Sequence, residues 1–305
     1  MSHEPRVRRA MSAAGSTDGV EAWWSGGEYV SLRLRGVEHL IFVRRMGSGP
    51  PLTLLHGYPA SSHQWAKMAP ELARDHTLVM PDFLGFGASA KPHEHDYSLM
   101  EQADLVEALW AHYGLSATRV VAHDYGSSVG QELLARRSEG SLSVALVDMT
   151  LMNGGIYPEL HRRTNAQSRL LDSQFGPVLS AQVDQDGFIT DLAVTFAPAY
   201  DALTDSVDMW RTYSRDDGHL NSHLLLRYVR DRETYRDRWV EALEGTDLPL
   251  QFVWGLEDPV SGAHIAERIR DCVPGARLLE LPDVGHWPSL EAPEQVISAH
   301  EDKRY

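Results

Sequence analysis

Along much of the chain, short uninterrupted apolar runs alternate with longer stretches in which apolar residues recur at helical spacing. The runs 40–43, 52–55, 77–80, 119–122, 144–147, 250–254 and 277–281 are mostly continuous rather than alternating, which predicts strands covered on both faces. Between them, 99–113 and 126–137 have the length and periodicity of amphipathic helices. Strands alternating with helices predict an α/β fold around a mostly parallel sheet with right-handed crossovers. The alternation stops after Met152. From residue 156 to 243 the pattern is helical, opened by Asn153-Gly154-Gly155 and followed by Gly245, and it carries Trp210, Tyr213, Tyr228, Tyr235 and Trp239. That is too much chain for a crossover helix. It predicts a helical cap inserted between two strands, over the C-terminal sheet edge where open α/β sheets bind ligands. The expected organisation is a flexible tail (1–20), a first core segment (21–155), the cap (156–243) and a second core segment (244–305).

Charge narrows the partners. A formal net charge of −15 over 305 residues argues against a nucleic-acid surface, which needs clustered Lys and Arg, and against an anionic membrane. No apolar run approaches the ~18 residues of a membrane span. Arg6, Arg8 and Arg9 are followed by small polar residues rather than an apolar stretch, so no signal peptide is read. The single cysteine, Cys272, cannot form an intrachain disulfide and suits a reducing, cytoplasmic compartment. It reads as a half-buried helix residue.

Four motifs carry chemistry, each at the end of a predicted strand. The first is Ala122-His123-Asp124-Tyr125-Gly126, a strand that turns sharply into a helix with small residues where the backbone would crowd itself. This is the layout of a nucleophile elbow with Asp124 at its apex. The bland alternative is an Asp that caps the following helix. The second is His56-Gly57-Tyr58-Pro59, whose Tyr58 N–H, with Tyr125 N–H, could form an oxyanion hole. The third places Asp258 before Pro259, where it could also merely stabilise a turn. The fourth is Val284-Gly285-His286-Trp287. An acid and then a histidine, following the apex residue in chain order, is the hydrolase sequence of roles. With 15 histidines in the chain, His286 alone would mean little; four motifs in order mean more.

These residues carry a resemblance. From about residue 30 to its end the chain resembles the α/β-hydrolase superfamily, and within it the epoxide hydrolase and haloalkane dehalogenase branch, where Asp replaces Ser at the apex. It is similar to the mesoderm-specific transcript group and its bacterial members, on Asp82-Phe83-Leu84-Gly85-Phe86-Gly87, His123-Asp124-Tyr125-Gly126, 153–159 and 238–243. The resemblance implies an eight-stranded α/β-hydrolase fold and a covalent ester on Asp124, with His286 as base and Asp258 orienting it. A carboxylate attacks an sp³ carbon bearing a leaving group more usefully than an acyl carbon, so the substrate is expected to be a small apolar epoxide. An alkyl halide or haloacid is the alternative, and a non-catalytic ligand- or partner-binding role is a third. Dehalogenases resembling this chain carry Asn and Trp where it has Tyr58 and Tyr125.

Opening an epoxide needs a proton donor, which cap tyrosines supply in epoxide hydrolases. Tyr157, Tyr200, Tyr213, Tyr228 and Tyr235 qualify; Tyr228 is chosen because its helix repeats apolar residues that would face the core. Asp82 reads as part of a tight loop, Asn153 as a turn residue, and Trp23 and Trp24 as packing on the core. No His, Cys or carboxylate spacing suggests a metal, no Gly-rich phosphate loop occurs, and no cofactor is expected. A homodimer is compatible with the sequence.

Overall fold

The computed structural model describes residues 18–273 and 275–302. Eight strands form one sheet: β1 (Glu28–Leu34), β2 (Val37–Met46), β3 (Pro51–Leu55), β4 (Thr77–Pro81), β5 (Ala117–His123), β6 (Ala145–Met152), β7 (Leu250–Gly255) and β8 (Arg277–Leu281), in the order β1-β2-β4-β3-β5-β6-β7-β8. β2 is antiparallel to both neighbours, and the remaining pairs are parallel. Adjacent residues Val120 and Val121 belong to different apolar clusters, so the central strand carries a core on each face.

Three expectations need correction. β1 was not anticipated. Its Val30, Leu32 and Leu34 point inward while Tyr29, Ser31 and Arg33 stay exposed, so only one face is covered and no continuous apolar run exists. The run at 144–147 marks only the start of β6. The strand continues through Asp148, which is buried and paired with Arg119 of β5; a satisfied polar residue interrupts the pattern without interrupting the strand. The expected tail of 1–20 is also too long. Residues 1–17 lie outside the described residues, but helix α1 begins at Asp18 and runs to Ser25. Val20 is fully buried, and Trp23 Nε1–H donates to Ser62 Oγ at 3.0 Å.

Between β6 and β7 the chain is helical, as the periodicity predicted. Its elements include α4 (Leu203–Ser214), α5 (Tyr228–Thr234) and α6 (Arg236–Gly245), after α2 (Leu99–His112) and α3 (Tyr125–Ser138) of the core. Two buried or half-buried carboxylates fix this segment to the core. Asp231 Oδ2 accepts from Leu99 N–H at 2.8 Å. Glu132 on α3 accepts from Trp239 Nε1–H and Arg136 Nε–H, both at 2.7 Å, and also from Arg238. The helices between β6 and β7 are therefore anchored on α2 and α3, beside the turn that holds Asp124. Among the described residues, no helix is long and apolar enough to cross a membrane.

Candidate active site

The turn between β5 and α3 is strained where the sequence predicted an elbow. Asp124 has φ 45° and ψ −101°, a conformation that costs a non-glycine residue about 1–3 kcal/mol. Two glycines permit the turn. A Cβ at Gly126 would stand 2.3 Å from the Leu55 carbonyl oxygen, and one at Gly154 would stand 2.9 Å from Ser127 Cβ. Asp124 makes no side-chain cap to its helix, so the capping alternative fails. Its carboxylate instead lies buried above the sheet edge. Oδ2 accepts from Tyr58 N–H at 3.1 Å and is 4.0 Å from His286 Nε2.

The Tyr58 loop is held by its own network. His56 Nδ1–H donates to Gly57 O at 2.9 Å while its Nε2 accepts from Phe83 N–H at 3.1 Å. Gly57 N–H donates to Gln64 Oε1 at 2.9 Å. Gln64 Nε2 donates to His123 Nδ1 at 3.1 Å, and His123 Nε2–H donates to the His286 carbonyl at 2.7 Å. Burial lowers the His123 pKa to about 3, which keeps this chain of bonds neutral. Tyr125 opens α3, so its N–H has no intrahelical acceptor.

Asp258 and His286 come together as expected. His286 Nδ1–H donates to Asp258 Oδ2 at 2.8 Å. Asp258 also accepts from Val260 N–H at 2.7 Å, Ser261 Oγ–H at 2.6 Å and Asn153 Nδ2–H at 2.9 Å. Burial pushes its carboxyl up, but His286, Ser261 and Asn153 outweigh that and hold it well below the usual range. For His286 burial acts downward, and Asp258 followed by Asp124 reverse it, so the imidazole is more basic than usual. The histidine loop is pinned by Glu291, whose carboxylate accepts from Gly285, Trp287 and Ala197 N–H, each at 2.9 Å. Asn153, read from sequence as a turn residue, is fully buried and clamps the acid; it also bonds both backbone groups of Gly255, at 2.7 and 2.9 Å.

Tyr228 lies at the elbow, its ring 5.0 Å from that of Tyr125 and 6.0 Å from that of Tyr58. Its hydroxyl is buried without a well-formed hydrogen bond. Burial, then Asp124, raise its pKa, and Arg232 partly offsets them. Sequence reasoning missed Arg232. Its Nη2 donates to Asp124 Oδ1 and to the Asp124 carbonyl, both at 3.1 Å, and its Nε donates to Ser128 Oγ at 2.6 Å. Burial pushes the Asp124 carboxyl up; Arg232, then His286 and His123, more than reverse this. The sequence shows only that Arg232 follows Tyr228 by four residues and so shares its helix face, not that it meets Asp124. Tyr213 of α4 was weighed only as one of five tyrosines. Its hydroxyl is 3.2 Å from that of Tyr58, and both line a pocket with His286, Phe188, Leu192 and Leu226.

A buried carboxylate facing an imidazole that is itself paired with a second carboxylate can attack an electrophilic carbon, and the imidazole can then activate water. Comparison with known proteins agrees with the fold. The alpha/beta hydrolase fold family matches residues 50–293. LipZ of Mycobacterium tuberculosis is 38% identical over 282 residues, covering 92% of this chain and 96% of that protein. The mesoderm-specific transcript homolog protein of Homo sapiens is 36% identical over 290 residues, covering 92% and 86%. The crystal structure of haloalkane dehalogenase DbeA from Bradyrhizobium elkani superposes with a TM-score of 0.75 over 90% of this chain and 96% of that one, at 18% identity. That last likeness speaks to the fold alone.

Proposed function

The chain belongs to the alpha/beta hydrolase fold family, and from that premise we propose that it is an epoxide hydrolase working through a covalent ester on Asp124. The observation that carries this reading is the Asp124 carboxylate itself. It occupies a strained apex, leaves its helix uncapped, and lies between the Tyr58 N–H and the base nitrogen of His286. A buried carboxylate held ionised in that place is a nucleophile for an sp³ carbon.

In the first step a carboxylate oxygen bonds to an epoxide carbon and the C–O bond of the ring breaks. The alkoxide takes the Tyr228 phenol proton; a phenol whose pKa is raised stays protonated until an alkoxide, the stronger base, appears. In the second step His286 Nε2 takes a proton from water, and the hydroxide adds to the ester carbonyl carbon. The Tyr58 and Tyr125 N–H groups hold the oxyanion. Collapse returns the Asp124 carboxylate and releases the diol, and the proton on His286 passes back through solvent to the tyrosinate. Asp258 keeps Nδ1 protonated and Nε2 bare. The helical segment between β6 and β7 acts as the cap that excludes water from the first step. Tyr58 and Tyr125 stand where a halide would need side-chain donors, which favours an epoxide over an alkyl halide.

The test uses His286→Gln, which blocks only the second step. Intact-mass measurement after exposure to an epoxide that the parent turns over should show the protein heavier by one substrate, with the addition mapped to Asp124. An unmodified variant would overturn the covalent mechanism. An alkyl adduct with free halide, formed from haloalkanes and not from epoxides, would favour dehalogenation.

A further inference from the structure

Resting on the reading of Asp124 as nucleophile, we propose that Arg232 and His161 form the seat of a substrate carboxylate, so that the substrate is an epoxide with an anionic head and an apolar tail. Arg232 is 1% exposed yet its Nη1 has no hydrogen-bond partner, and neither ring nitrogen of His161 has one. Orphaned buried donors are rare and call for a partner. Both groups pack against Gly155, where a Cβ would stand 2.6 Å from Arg232 Nη1 and 2.9 Å from His161 Nδ1. Both line a recess of about 260 Å³ with Arg163, Val229, Pro158 and Glu233. The recess is distinct from the apolar pocket that reaches Tyr58 and His286.

The geometry at Asp124 ties this recess to the reaction. Oδ2 sits on the Tyr58 N–H, where the ester carbonyl must lie, so Oδ1 is the oxygen left to attack. Oδ1 is the oxygen that Arg232 Nη2 holds. A carboxylate arriving at Nη1 competes for the same guanidinium charge and frees Oδ1 as the electrophilic carbon comes into place. A guanidinium N–H and an imidazole N–H suit the two oxygens of one carboxylate. Glu233 at the rim and the Asp124 charge nearby disfavour a dianion such as a phosphate monoester. The apolar pocket lined by Phe188 and Leu192 reaches Tyr58 and His286, which face the other oxygen of Asp124, and that is the side left for the tail.

Calorimetry with hexanoate and hexan-1-ol tests the seat without turnover. Hexanoate should bind the parent at least ~10-fold tighter than the alcohol, the size of one charge-assisted pair in a buried site. Arg232→Met should abolish that preference. Gly155→Ala, which puts a methyl between the two groups, should weaken hexanoate by about 10-fold and decides the matter if the arginine variant does not fold. Equal binding of acid and alcohol by the parent, or hexanoate binding unchanged in Gly155→Ala, would overturn the seat. Turnover separates the two readings. The parent should open 2,3-epoxyhexanoate with a higher kcat/KM than 1,2-epoxyhexane, and the variants should shrink that ratio. Arg232-dependent hexanoate binding with neither epoxide opened would leave the seat standing and remove the epoxide reading. Equal opening of both epoxides would do the reverse.

Discussion

The two sides of the Asp124 carboxylate are finished differently. On the side of the loops after β6, β7 and β8, polar groups answer one another: Asp258 accepts four hydrogen bonds and Glu291 three. On the side of the helical segment, Arg232 Nη1 and both nitrogens of His161 are buried without partners, and Tyr228 Oη has no well-formed hydrogen bond. A saturated network costs nothing to reorganise during reaction, which is how a general base is held in one tautomer and one place. The unsaturated side is where polar atoms of a ligand would enter. The contrast divides the site into a part that is prepared and a part that waits.

The largest effect expected from breaking the contrast is on the prepared side. Asp258→Asn should leave the fold intact but cost about 10³–10⁴ in turnover, because the amide cannot hold Nδ1 protonated against the same donors. Steady-state rates together with a melting curve would check this, and near-normal turnover in a folded variant would move the acid elsewhere.

Next comes Arg232, whose loss leaves Asp124 buried beside fewer charges. Arg232→Met should destabilise the fold by about 3–5 kcal/mol, the cost of breaking a buried pair on one side. Asp124→Asn in the same background should recover part of it, as a double-mutant cycle in denaturant would show. No recovery would mean that Arg232 acts through packing rather than charge.

A smaller loss, about 10²-fold in the alkylation step, is expected for Tyr228→Phe, with ester hydrolysis little changed. Single-turnover kinetics separate the steps. If Tyr213→Phe slows ring opening and Tyr228→Phe does not, the pocket-lining tyrosine is the donor.

The smallest effect is on pH. His286 must be neutral to deprotonate water, and its folded pKa is raised above 6.5, mainly by Asp258 against the opposing effect of burial. Ester hydrolysis should therefore fall as pH drops, through a midpoint set by the ester form, where Asp124 no longer contributes its charge. That midpoint should lie below the one for His286 in the free enzyme, measured by NMR. Identical midpoints would mean that Asp124 and His286 are not coupled.

Much of this was legible in the residues alone. The elbow, the Tyr58 loop, Asp258 and His286 are each a local pattern at a strand end, written in a few consecutive residues, and the chain order of acid and base supplied the rest. The helical segment was visible from its period. β1 was not, because a strand with one covered face leaves no apolar run, and the length of β6 was hidden by a polar residue that is satisfied only by Arg119 across the sheet. That Asp124 leaves its helix uncapped and turns its carboxylate to the Tyr58 N–H needed its backbone angles and its partners. Arg232, His161 and the clamp by Asn153 belong to tertiary structure. Arg232 meets Asp124 only because α5 docks beside the elbow through Asp231 and Leu99. Nothing in the short-range pattern around either residue encodes that pairing, since a charge's partner is set by which surfaces pack together and not by its neighbours in the chain.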